Sequence, residues 1–276
     1  MLYRMLHRLN GLRSPNGNGR TLLASLILVG LLSGISQAAD EWGTIQGRLV
    51  YVGTPATPAK IKADKDPAVC NKHPLVDESL VVGESKGIAN AFVYLRLKPG
   101  EKVAAHPDYA QAAKDSVELD NHFCRFTPHA AVLRGGQTLV LKNSDTVPHN
   151  VKGDMVKNAS YNVLIPPGQS IEKTDLTKSE IIPLPVGCNI HPWMKDWLLV
   201  REDPYAVVTD KDGNFEIKNI PVGKREFQLW QEKVGYLDGV KVQGKAAAKG
   251  RFSVALKPGV LDLGDIPVDG KMFQGK

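Results

Sequence analysis

The sequence predicts an all-β protein built from β-sandwiches, with one short helix. Short runs rich in β-branched and aromatic residues recur along the chain, and turns containing Gly, Pro or Asn separate them. Runs of this length and spacing are typical of sandwiches and Greek-key barrels. With 276 residues, the chain can form one large all-β domain or two small ones.

Nine runs are predicted as strands because their residues alternate or are continuously apolar and end at turn residues. They are residues 47–51, 91–97, 130–133, 138–141, 162–165, 198–200, 215–217, 226–230 and 252–256. One helix is predicted over residues 107–115, where the sequence is rich in alanine. The elements divide the chain into a β segment at 44–127, a segment with a metal motif at 128–202 and a second β segment at 203–276.

Residues 1–38 have the layout of an export signal. Four arginines precede a short apolar run, and the small residues of Ser36-Gln37-Ala38 follow it. The apolar run is shorter than the roughly 20 residues that span a bilayer, so we expect cleavage after Ala38 and no membrane span afterwards. An uncleaved anchor is the alternative. The expected location is the periplasm or the outside of the cell.

The charge does not indicate a nucleic-acid partner. The net charge is +6, but lysines are interspersed with acids and no basic stripe occurs. A mildly basic surface favours acidic partners without identifying one.

One short segment contains three kinds of metal donor. Cys188, His191 and Met194 are spaced C-x2-H-x2-M and offer a thiolate, an imidazole and a thioether. Two imidazoles and one thiolate with a weak axial thioether are the donors of blue copper sites. His149, which follows a predicted strand, is the candidate for the second imidazole. Zinc or an empty site is the alternative.

These residues resemble the cupredoxin family, and the loop is most similar to that of amicyanin-type proteins. The stretch 136–145 resembles the family's glycine turn, strand and Asn-x-Asp turn before the first ligand histidine. The resemblance implies a Greek-key sandwich, one type 1 copper ion bound by His149, Cys188, His191 and Met194, and one-electron transfer between protein redox partners. It also implies that the edge of His191, with Pro192 and Trp193 beside it, forms an apolar patch where electrons leave.

Two local expectations accompany the ligands. Asn150 is expected behind the ligands, where its amide or its backbone N–H donates to the Cys188 sulfur. The run 181–187 contains Pro183 and Pro185 in place of the family's aromatic strand. It is therefore expected to be an edge strand or irregular.

The other two cysteines have two interpretations. Cys70 and Cys124 suit a disulfide in an exported protein. Together with His73 and His122, they also form a donor set for zinc or a second copper.

The C-terminal segment resembles the carboxypeptidase regulatory-like (transthyretin-like) β-sandwich family. The resemblance lies in residues 209–217, 220–223 and 227–230, and the early runs 47–51 and 91–95 are similar to that family's first strands. It implies a structural or binding module.

The metal motif makes electron transfer the leading function, and the alternatives are a copper carrier or a surface-binding module. No enzyme motif occurs, so catalysis is not expected.

Overall fold

The computed structural model describes residues 41–274, and the predicted export signal at 1–38 lies outside the described residues. The described part is nearly all-β. Its strands are β1 (Trp42–Val52), β2 (Lys60–Ile61), β3 (Leu75–Val76), β4 (Phe92–Leu95), β5 (Ser116–His122), β6 (Arg125–Thr127), β7 (Ala130–Arg134), β8 (Thr138–Asn143), β9 (His149–Gly153), β10 (Tyr161–Ile165), β11 (Ser170–Lys173), β12 (Leu184–Gly187), β13 (Lys195–Arg201), β14 (Ala206–Val208), β15 (Asn214–Pro221), β16 (Gly223–Gln231), β17 (Gly235–Tyr236), β18 (Lys241–Val242), β19 (Lys245–Ala246), β20 (Arg251–Leu256) and β21 (Gly259–Asp269). The α-helices are α1 (Pro67–Cys70) and α2 (Tyr109–Ala112), and 3-10 turns cover Ala248–Gly250 and Gly270–Phe273.

The predicted fold class is confirmed, and each predicted strand lies at a strand of the structure. The predicted helix at 107–115 is shorter than expected, because α2 spans only four residues. None of its side chains is fully buried, and Tyr109 alone among them packs against the core, so little buried apolar surface stabilises further turns. Among residues 41–274, no helix is long and apolar enough to cross a membrane.

The central sandwich consists of strands β5 to β13. One sheet has the order β10-β9-β12-β13-β7 and the other the order β11-β8-β5-β6. Alternate residues of both sheets point into one core, where Leu119, Leu141, Val151 and Leu198 are 0–1 % exposed. This core also includes Cys188 and Met194, so the metal motif lies in the packed interior of the sandwich.

The flanking sandwich consists of the remaining long strands. A sheet of order β15-β1-β21 faces a second sheet of order β14-β4-β16-β17, in which β20 also pairs with β16. Ile45, Leu95, Phe227 and Val268 are 0–1 % exposed in their shared core. The resemblance of this part to carboxypeptidase regulatory-like sandwiches stays a prediction.

The two sandwiches contact each other through a small third core. Phe92 and Trp230 from the flanking sandwich pack against Leu199 from the central one. The rings of Trp197 and Trp230 have centroids 4.6 Å apart, so Trp197 is an aromatic of this junction. Strand pairing also joins the two segments that the sequence analysis divided at residue 127. β5, before this boundary, pairs in parallel with β8, after it, over Ser116–Asn121 and Thr138–Asn143. The domain boundaries proposed from the sequence stay a prediction.

The run before Cys188 agrees with the expectation only in part, because residues 181–183 are irregular but Leu184–Gly187 form a regular strand, β12. β12 is an interior strand, because it pairs with β13 along its length and with β9 at Val186 and Gly187. Pairing with β9 begins only after Pro185. The ladder between β9 and β12 therefore does not require the N–H that proline lacks. Cys188 is therefore placed by a strand that is bonded on both sides.

Candidate metal centre

Two neighbouring strands bring the metal motif together. His149 is the first residue of β9, and Cys188 directly follows β12. His191 and Met194 lie in the loop that leads into β13, and this loop turns tightly. The backbone nitrogen of His191 donates to the Cys188 sulfur at 3.4 Å, and that of Met194 donates to the His191 carbonyl at 2.9 Å.

Three donor atoms converge in the interior. The Nδ1 atoms of His149 and His191 lie 3.9 and 3.8 Å from the Sγ atom of Cys188. The three donors lie within 4.8 Å of one another. The side chains are buried, with exposures of 0 % for both histidines, 4 % for Cys188 and 1 % for Met194.

These separations fit a trigonal metal site. Imidazole nitrogen and thiolate sulfur bind zinc at about 2.0–2.1 and about 2.3 Å. If bonds of such lengths lie about 120° apart, as in the trigonal His2Cys plane of blue copper sites, the two donor atoms are separated by about 3.8 Å. The donor set and its spacing are therefore suitable for a metal ion between His149, Cys188 and His191.

A carboxylate holds the outer nitrogen of each histidine. The Nε2 atom of His149 lies 3.0 Å from Oδ2 of Asp145, and that of His191 lies 2.9 Å from Oδ2 of Asp66. A carboxylate can only accept, so each contact keeps the ring proton on Nε2. Nδ1, which faces Cys188, is then the nitrogen that can bind a metal.

The surroundings of Cys188 favour its thiolate. Burial by itself raises the pKa of the thiol, but its contacts with the side chains of His149 and His191 and with neighbouring backbone N–H groups lower this pKa to about 6. Burial also lowers the pKa of His149, and its bonds to Asp145 and Cys188 outweigh this effect and raise that pKa. The thiolate is the form of cysteine that binds metals.

Comparisons with known proteins give partial matches to solved structures but no family. No family model and no curated protein matches the chain. Solved structures with partial similarity include the Cu-containing nitrite reductase from Thermus scotoductus SA-01, with 18 % identity over 39 % of this chain and a TM-score of 0.28. The match spans only 25 % of that reductase chain.

Two smaller proteins are matched over nearly their whole length. A purple cupredoxin from Nitrosopumilus maritimus is 20 % identical over 30 % of this chain and 97 % of its own, with a TM-score of 0.25. A reduced amicyanin variant is 20 % identical over 40 % of this chain and 98 % of its own, with a TM-score of 0.28. Similarities at this level do not assign a function to this chain.

Asn150 anchors the ligand loop in a way that the sequence did not predict. Its side-chain oxygen accepts hydrogen bonds from the backbone nitrogens of Asn189 and Ile190 at 2.7 and 3.2 Å. Its amide nitrogen donates to Asn162 at 2.7 Å and is not available to the sulfur. The Cys188 Sγ atom lies 3.4 Å from the same side-chain oxygen, and donation from the backbone N–H of Asn150 to the sulfur stays a prediction.

The exposed edge expected for His191 is absent. The His191 side chain is 0 % exposed, because Asp66 from the segment before α1 covers its outer nitrogen. Pro192 is exposed and Trp193 is half-buried. The Trp193 ring lies 5.2 Å from the His191 ring, and its Nε1 donates to the Cys124 carbonyl at 3.0 Å. The role of Pro192 and Trp193 in electron exit stays a prediction.

The remaining cysteines form a disulfide between Cys70 and Cys124. Their sulfurs are therefore not free to bind a metal with His73 and His122. Both of these histidines instead stack on Phe123, with ring centroids 3.9 and 3.7 Å from it.

Sequence reasoning missed both carboxylates. Asp145 lies in the turn that resembles the cupredoxin motif, and its position four residues before His149 was an available signal. Asp66 lies 125 residues before His191, and no local pattern connects the two.

Proposed function

We propose that this chain binds one copper ion in a type 1 site and exchanges single electrons with protein redox partners outside the cytoplasm. The observation that carries the proposal is the spacing of 3.8–3.9 Å between the Cys188 sulfur and the Nδ1 atoms of His149 and His191. Met194, buried in the same core, is proposed as the weak axial donor. A copper ion bound there would supply a one-electron couple.

The residues around the donors keep the site in one arrangement. The carboxylates of Asp145 and Asp66 hold the two imidazoles, and Asn150 holds the loop that follows Cys188. Electron transfer is faster when the ligands move little as the metal changes its oxidation state. Because these contacts fix the ligand positions, they limit such movement.

A copper carrier, which the sequence left open, is less well supported. Transfer of the metal to another protein requires that incoming ligands reach it, whereas the side chains of His149 and His191 are 0 % exposed. We expect tight retention of the metal and no catalysis.

The test is the visible and EPR spectrum of the Cu(II)-loaded protein, measured for the wild type, Cys188→Ser and the control His106→Gln. His106 lies in the flanking region, where it contacts Trp42. An intense thiolate-to-copper band is expected in the wild type and the control, and its loss in Cys188→Ser. A colourless wild-type protein would overturn the proposal. Rapid removal of copper by a competing chelator would favour the carrier.

A further inference from the structure

The outer face of His191 is closed by a segment far away in the sequence. Asp66 lies in the loop before α1, and its Oδ2 atom is 2.9 Å from Nε2 of His191. The His191 side chain is 0 % exposed, whereas that of Asp66 is 39 % exposed. One side of the Asp66 carboxylate therefore contacts the ring and the other faces water.

The backbone around Asp66 fixes this carboxylate. Asp66 adopts the left-handed conformation with φ of 45°, which aspartate tolerates better than most residues. Its carbonyl accepts bonds of 2.9 Å from the nitrogens of Val69 and Cys70. The side chain of Asn71 closes the loop by bonding to both the nitrogen and the carbonyl of Ala63, at 2.9 and 3.1 Å.

The disulfide connects this segment to the rest of the site. Cys70 ends α1 and is bonded to Cys124. The backbone nitrogen of Cys124 donates to Asp145 at 2.8 Å, and Asp145 holds His149. One disulfide therefore joins the turns that position the carboxylates behind both histidines.

We propose that Asp66 is a positioning residue for His191 and that the Cys70–Cys124 disulfide keeps Asp66 in place beside this histidine. The inference rests on the proposed copper site. Carboxylates behind metal-bound histidines orient the ring and raise its basicity, and their loss commonly weakens metal binding about 10–100-fold. Asp66 would thus strengthen Cu(II) binding and separate His191 from solvent.

A purely structural ion pair would behave differently. If the contact between Asp66 and His191 only stabilised the loop, its loss would alter the unfolding curve and leave the metal affinity unchanged. The decisive measurements are therefore Cu(II) affinity by chelator competition and, in the metal-free protein, the hydrogen-exchange rate of the His191 Nε2 proton by NMR.

The variants are Asp66→Ala, Asp66→Asn and the control Asp64→Asn, whose carboxylate is exposed and has no hydrogen bond among the described residues. Asp66→Ala should bind Cu(II) about 10–100-fold more weakly and exchange the Nε2 proton faster. Asp66→Asn keeps an acceptor without the charge and should give an intermediate loss. Wild-type affinity and exchange in Asp66→Ala would overturn the inference.

Failure of the copper site can be told apart from failure of this inference. A wild-type protein without the thiolate-to-copper band would overturn the proposed function. The Nε2 exchange rate of the metal-free protein would still decide whether Asp66 holds the ring.

The contribution of the disulfide is tested by a double-mutant cycle. Asp66→Ala is measured in the wild type and in a Cys70→Ala, Cys124→Ala background. If the disulfide acts through Asp66, the loss in Cu(II) affinity caused by Asp66→Ala should be much smaller in that background. Equal losses would overturn this part.

If the protein without the disulfide does not fold, a second variant tests the same point. Asn71→Ala, which releases the loop from Ala63 and keeps the disulfide, should speed His191 exchange. An unchanged rate would contradict control of the ring by the position of this loop.

Discussion

The side-chain oxygen of Asn150 lies 2.7 Å from the backbone nitrogen of Asn189. Asn150 is the second residue of β9, and Asn189 directly follows Cys188. This bond fastens the strand that carries His149 to the loop that carries His191. The two ligand-bearing segments are thus coupled by a contact that involves no ligand side chain.

We expect Asn150→Ala to loosen the ligand loop. The backbone nitrogens of Asn189 and Ile190 lose their acceptor, which should cost about 1–3 kcal/mol in the free energy of unfolding. The thiolate-to-copper band of the loaded protein should also shift or weaken. Chemical denaturation and visible absorption measure the two effects.

The control for Asn150 is Asn162→Ala, which removes only the acceptor of the Asn150 amide nitrogen. It should leave the copper spectrum close to that of the wild type. Equal spectral changes in the two variants would contradict the loop-anchoring role.

Met194→Leu should raise the copper reduction potential. The thioether is an electron donor, so its removal disfavours Cu(II) more than Cu(I), and the axial ligand is known to tune this potential. The matched control is Met155→Leu, since Met155 is 8 % exposed in the same core and is not part of the metal motif. Redox titration of both variants checks the expectation, and an equal potential in Met194→Leu and the wild type would exclude Met194 as an axial donor.

Glu232→Gln should destabilise the protein in a pH-dependent way. Nε2 of His129 lies 2.6 Å from Glu232, while Glu78 and Asp196 also face this ring. Burial lowers the pKa of His129, but the bond and charge of Glu232 outweigh this effect and raise it.

A raised histidine pKa contributes stability below the unfolded value of about 6.5, and this contribution is lost as the pH rises through the folded value. The destabilisation by Glu232→Gln should therefore be greatest at acidic pH, at about 1.5–3 kcal/mol, and shrink above neutrality. Urea denaturation between pH 5 and pH 8 measures it. The control Glu226→Gln breaks the exposed pair with Arg96 and should cost at most about 1 kcal/mol without this pH trend.

Export should remove the N-terminal segment. We expect the protein recovered from the periplasm or medium of an expressing cell to begin at Ala39, because the small residues Ser36 and Ala38 form a cleavage site. N-terminal sequencing or intact mass checks this. A mature protein that retains Arg4 and Arg8 would indicate an uncleaved anchor.

The sequence was most informative where the chemistry is local. Cys188, His191 and Met194 lie within seven residues, so their donor types and spacing were readable before any fold was known. Strands were predictable for a similar reason, since alternation and turn residues act over a few positions. The run 181–187 shows the limit of such local patterns. Pro185 indicated an edge strand, but the strand pairs with β9 directly after Pro185 and is an interior strand.

By itself, the sequence determined the all-β class and the residues that can supply metal donors, together with a cysteine pair suited to a disulfide. Only the tertiary structure decided that Asp66 closes the face of His191 and that the disulfide joins it to the turn holding Asp145. The physical reason is distance along the chain. Asp66 and His191 are 125 residues apart, and a hydrogen bond between them exists only once two separate segments have packed together.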